Sequence, residues 1–143
     1  MTPTVPELLM GNFLALMEPP PPESSGDFLQ SRVAVTGMIS LLCAQEAERG
    51  MAARVWENGA IRDLFARVAP AYGPAFAEAA KGQDADFSLT AMDAANAALR
   101  RSLIALHIAV ETARDAALDT EIRGLYVQMA EARRLDLPPL PAS

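Results

Sequence analysis

The stretch from Ser88 to Arg114, SLTAMDAANAALRRSLIALHIAVETAR, has one regular solution, a long amphipathic helix. Apolar and small residues recur in alternating steps of four and three along Met92, Asn96, Leu99, Leu103, Leu106, Val110, Ala113 and Ala117. Ile104 and Ile108 are expected to widen this seam, while Asp93, Arg100, Arg101, Glu111 and Arg114 lie mostly off it. Thr90 and Asp93 form a T-x-x-D capping pattern in which each side chain can accept from a free backbone N–H at the helix start. A stripe of this kind is stable in water only when other helices cover it. The expected fold is therefore all-α, a small helical bundle of about four to five helices with one long central helix.

The rest of the chain supplies the covering elements. Thr4-Val5-Pro6-Glu7 is a T-x-x-E box with proline near the first turn, predicting a short helix to about Met17 that carries Leu8, Leu9, Phe13, Leu16 and Met17. An isolated helix of this length is marginal in water, so it is expected to form by docking. Glu18 to Gly26, EPPPPESSG, reads as a stiff polyproline linker. Asp27 then caps a helix to about Gly50 whose middle, Val33 to Ala44, is apolar nearly all round, with Gly37 able to permit close helix approach. A third helix follows from about Met51 to Ala69, with Asn58-Gly59 as a bend or a fresh start, and Pro70 and Gly73-Pro74 break the chain. Pro74 to Lys81 is a short turn or helix, and Gln83 to Phe87 a loop. A last helix is expected to restart at Asp119 or Thr120 and to carry Ile122, Leu125, Tyr126 and Met129. Residues 1–17, 18–26, 27–135 and 136–143 thus read as short helix, linker, bundle and extended Pro-rich tail.

Composition bounds the function. The 143 residues suit one domain, and a hydrophobic fraction of 51% with 21% charged residues is that of a globular protein. A net charge of −6 repels a phosphate backbone and argues against a nucleic-acid partner. Arg100-Arg101 and Arg133-Arg134, the adjacent basic pairs, read as solvated helix edges. The N-terminus lacks a basic n-region and carries Glu7, unlike a secretory signal, and no apolar run reaches the roughly 18–20 residues of a membrane span. A soluble cytoplasmic protein is expected. Abundant alanine and a preference for arginine over lysine suggest a GC-rich bacterial genome.

Chemistry-bearing residues are few. His107 is the single histidine, which removes paired E-x-x-H di-iron sites and H-E-x-x-H zinc sites. His107 and Glu111, four apart on one helix face, can pair with each other or share one metal ion; the simpler reading is a boundary contact. Cys43 is the single cysteine and lies in the most apolar run, where burial disfavours a nucleophilic thiolate. Glu46, Glu48 and Glu57, near Arg49 and Arg54, read as a solvated polar end with helix-spaced ion pairs. Asn96 falls on the seam itself, where a buried amide must be bonded, either to another helix or to a partner. Trp56, Tyr126 and His107 are candidates for lining a ligand pocket, with plain core packing the alternative for the aromatics. No catalytic residue, cofactor or resident metal is assigned.

Phe28-x-x-x-Arg32-Val33-Ala34, an acidic segment ending Glu48-Arg49-Gly50, Asn96-x-x-Leu99 and the closing Arg134-Leu135-Asp136-Leu137-Pro138 resemble a family of small helical proteins. These are encoded beside, or fused to, acyl-CoA dehydrogenases and aminoglycoside-phosphotransferase-like kinases. Thr36 stands where that family tends to have asparagine, and its Arg-Glu pair appears as a displaced Gln45-Glu46. The resemblance implies an accessory subunit supporting a kinase that acts on hydroxyacyl-CoA. Leu41-Leu42…Glu46 with the Asn96-x-x-Leu99 helix is also similar to export chaperones for flagellar hook-junction proteins.

The function expected from this reading is a non-catalytic helical accessory protein that binds a protein partner, with Asn96, Leu99, Leu103, Leu8 and Phe13 as the candidate binding residues. Homodimerisation through the long helix is a further expectation. The alternatives are an acyl-chain or small-molecule binding bundle, a flagellar export chaperone, and an enzyme using Glu46, Glu48 and His107.

Overall fold

A computed structural model describes residues 3–17 and 26–136. It contains five helices and, among the described residues, no strand: α1 (Val5–Met17), α2 (Gly26–Tyr72), α3 (Pro74–Ala80), α4 (Leu89–Ala113) and α5 (Ala116–Ala132). The all-α expectation holds. The chain forms two compact units that divide within α2, one of Met1–Gly50 with Arg134–Ser143 and one of Met51–Arg133.

In the first unit, α1 starts at the expected T-x-x-E box: the Thr4 amide and hydroxyl both donate to Glu7 Oε2, at 2.7 and 3.1 Å. These bonds hold the Glu7 carboxyl below its ordinary range. Gly26 opens α2 rather than closing the linker, and residues 18–25 lie outside the described residues. Asp136 is tied back to α2. Gln45 Nε2 donates to its carbonyl at 2.8 Å, its own amide donates to Gln45 Oε1 at 2.7 Å, and Arg49 Nη1 reaches its carboxylate at 3.2 Å. Position 136 is therefore anchored where an extended tail was expected to begin; 137–143 lie outside the described residues.

The second unit buries one core. Ile61, Leu64, Phe65 and Val68 of α2 meet Leu99, Leu103, Leu106 and Val110 of α4 and Leu118, Ile122, Leu125 and Met129 of α5. The buried positions of α4 are Met92, Asn96, Leu99, Leu103, Leu106 and Val110, the expected seam without its last two alanines. Ile104 and Ile108 do not widen it: each follows the seam by one or two positions, which turns it outward, and they are 55% and 60% exposed. Phe76 of α3 closes the core against Phe65, ring centroids 5.3 Å apart.

Several expected boundaries move. The chain does not break at Gly50 or Asn58-Gly59; α2 is one helix of 47 residues, longer than the 25 of α4. A mid-helix glycine costs about 1 kcal/mol, which burial of Ile61, Leu64 and Phe65 beyond Gly59 offsets, and Asn58 is fully buried instead of capping a new start. Pro70 lies in the last turn of α2, which ends at Tyr72 before Gly73 at φ 119°, a conformation that favours glycine. Ser88, not Thr90, caps α4 by accepting from the Ala91 amide at 3.3 Å.

The α4–α5 link is a two-residue turn, Arg114-Asp115. Arg114 adopts φ 58°. Its amide donates to the Glu111 carbonyl at 3.1 Å, and the Asp115 amide donates to the Val110 carbonyl at 3.2 Å. This is the Schellman pattern, which satisfies two carbonyls at the end of the helix. Asp115 then caps α5, accepting from the Leu118 amide at 3.1 Å and from the Tyr72 hydroxyl at 3.0 Å. The helix thus begins at Ala116, ahead of the expected restart at Asp119 or Thr120, and Asp119 is released for another role.

Candidate functional site

Two features stand out from the core. One is an apolar surface in the first unit; the other is a polar cluster at the α4–α5 hairpin.

The apolar surface follows from the composition of Val33 to Ala44. A helix apolar nearly all round needs cover on every side. Cys43 is buried and Met38, Ile39 and Leu42 are half-buried. Leu29 and Val33 are each 64% exposed, Val35 51% and Leu41 37%; on α1, Leu9 is 53% and Met10 58% exposed. Leu29, Val33, Gly37 and Leu41 step by four along one side of α2, and a Cβ built on Gly37 would meet nothing within 4 Å. No neighbouring group among the described residues therefore requires a glycine there.

The polar cluster joins α4 to α5. His107 Nε2 lies 2.8 Å from Asp119 Oδ1 and 3.9 Å from Glu111 Oε1. Arg123 Nε donates to Asp119 Oδ2 at 2.8 Å, and its Nη2 to Glu111 Oε1 at 3.3 Å. Tyr126 flanks the imidazole, with ring centroids 5.5 Å apart. The Asp119 carboxyl is held below its ordinary range, first by the Arg123 bond and then by His107. Beside the cluster an open groove of about 360 Å³ is lined by Val110, Glu111, Arg114, Asp115, Ala116, Asp119 and Arg123.

The candidate residues distribute as follows. His107 and Tyr126 do come together, while Trp56 sits on α2 with 40% exposure. Asn96, Leu99 and Leu103 are buried in their own chain, at 4%, 7% and 0% exposure. Leu8 is half-buried, and the side chain of Phe13 lies outside the described residues. Glu46 and Glu48 belong to the first unit and His107 to the second.

Asn96 is bonded to other helices. Its Nδ2 donates to Glu57 Oε2 and to Asn58 Oδ1, each at 2.9 Å, and its Oδ1 accepts from Arg133 Nη2 at 2.9 Å. Arg133 also donates to both oxygens of Glu57, at 2.6 and 2.9 Å, with Arg100 Nε 3.6 Å away. Asn58 Nδ2 continues to Asp84, whose carboxylate receives Arg62 Nη1 and Nη2 at 2.9 and 2.7 Å. Both Glu57 oxygens accept from donors, so this carboxylate acts as a structural acceptor.

Glu57 and Arg54 are therefore not part of a solvated end. Glu57 is 0% and Arg54 2% exposed, and Arg54 Nε donates to Asp93 at 2.5 Å. Arg133 likewise is no solvated edge: its side chain is 13% exposed. The legible signal was register. Glu57 shares a stripe with Ile61, Leu64 and Val68, and a charge on a buried stripe requires a partner. Nothing in local sequence marks Arg133, Asp84, Asp119 or Arg123 as that partner or as cluster members.

Among the described residues no helix is long and apolar enough to cross a membrane. No family model, curated protein or solved structure matches this chain.

Proposed function

We propose that this protein is a non-catalytic helical accessory protein that binds a protein partner through the apolar side of α1 and the first half of α2. The observation that supports the reading is the exposure of Leu9, Met10, Leu29, Val33 and Leu41 in one compact unit. Apolar surface of this kind gains roughly 25 cal/mol per Å² when covered, and clusters of it on soluble chains mark interaction sites. The open space at Gly37 suits a closely approaching helix. A kinase or dehydrogenase of acyl-CoA chemistry is the partner class that the resemblance at Phe28 to Gly50 and Asn96 to Pro138 implies.

The test is a tagged pull-down from native extract, with eluted complexes sized by light scattering and their proteins identified. A stoichiometric heterologous partner is expected, lost in Val33→Glu and Leu41→Glu while the helical circular dichroism is retained. A monomer with no partner, or capture unchanged by both substitutions, overturns the reading.

A further inference from the structure

We propose that His107, Glu111 and Asp119 form a binding site for one divalent transition-metal ion of the zinc class, placed across the α4–α5 hairpin. One ligand atom from each residue lies within 4.8 Å of the other two, a spacing that a single ion can bridge. The set is one imidazole nitrogen and two carboxylate oxygens, which suits zinc, cobalt or nickel better than the all-oxygen sites of calcium and magnesium. Three protein ligands leave a fourth position for water, and the groove of about 360 Å³ beside Glu111 and Asp119 provides the approach.

The surroundings favour this geometry. Arg123 Nε holds Asp119 Oδ2, leaving Oδ1 turned to the imidazole, the arrangement by which an outer partner orients a ligating carboxylate. Tyr126 packs by the ring of His107. Two carboxylates face the single guanidinium of Arg123, and its longer bond, 3.3 Å to Glu111, is the contact an ion would replace. Glu111 and Asp119 belong to different helices separated by the Arg114-Asp115 turn, so an ion would fasten the hairpin at its closed end.

The test uses the full chain, freed of any tag and of metal by chelation. His107 is the only histidine, so a long-range nitrogen–proton spectrum reports it without assignment. Stoichiometric Zn²⁺ is expected to shift Nε2, and calorimetry to give one ion per chain. His107→Ala and Asp119→Asn are each expected to weaken binding by at least about tenfold, while Glu78→Ala, on the exposed surface of α3, leaves it unchanged. An Nε2 signal that stays in place at stoichiometric Zn²⁺, or binding that persists in His107→Ala, overturns the proposal. The spectrum of the unsubstituted chain decides the matter even if a variant fails to fold.

Discussion

Arg133 Nε lies 2.6 Å from Oε1 of Glu57, although 76 positions separate them in the chain. The pair links the end of α5 to the middle of α2, and Glu57 is fully buried. Removing one member of a buried pair strands the other charge, which costs far more than the pair itself contributes. Arg133→Ala should therefore destabilise the fold by about 3–5 kcal/mol. Arg49→Ala, at an exposed ion pair with Asp136, should cost no more than about 1 kcal/mol. Urea melts of both variants check the contrast.

Asn96→Leu separates a bonded amide from a partner-facing one. The substitution leaves Asn58 Oδ1 without its Asn96 donor and removes one donor from Glu57 and one acceptor from Arg133. The stranded Asn58 oxygen costs about 1–3 kcal/mol, while Glu57 and Arg133 keep their bonds to each other. A loss of stability is expected by thermal or urea unfolding; a gain would mean that the network is not formed in solution.

Leu103 and Ile108 are five residues apart on α4 and have opposite surroundings. Leu103 is 0% and Ile108 60% exposed. Leu103→Ala should cost about 2–5 kcal/mol through lost burial and a residual cavity, and Ile108→Ala about 0.5 kcal/mol or less. If both prove costly in a concentration-dependent way, the outer side of α4 is buried in a self-associated form.

Asp84 should make the fold acid-sensitive. The bonds from Arg62, reinforced by Asn58, hold its carboxyl below the ordinary aspartate value of 3.8, against the opposing effect of burial. A carboxyl lowered in the folded state binds fewer protons there than in the unfolded chain. Its contribution to stability is therefore full above the ordinary value and fades as pH falls through the lowered one. The gap in melting temperature between the native chain and Asp84→Asn should be widest near neutrality and close at the acid end. A gap independent of pH would show that the ionised carboxylate is not what Arg62 and Asn58 hold.

Much of the fold is written locally. The Thr4–Glu7 box, the halt around Pro70 and Gly73-Pro74, and the seam from Met92 to Val110 follow from capping chemistry, backbone restriction and helical period. Each depends on neighbours within a few residues, and such features can be read from one segment at a time. The same information leaves close competitors undecided. Ser88 and Thr90 are both able to cap α4, as Asp115 and Asp119 are for α5, because adjacent caps differ little in local free energy. Gly50 and Asn58-Gly59 are acceptable ends or acceptable interior positions of a helix by the same measure. Tertiary structure made those choices. Burial of Asn58 against Asn96 and Asp84 carried α2 through, and capping by Asp115 freed Asp119 for His107. Periodicity states which side of a helix must be covered, whereas the identity of the covering group depends on bonds between residues 12 to 91 positions apart, and no single segment contains both ends of such a bond.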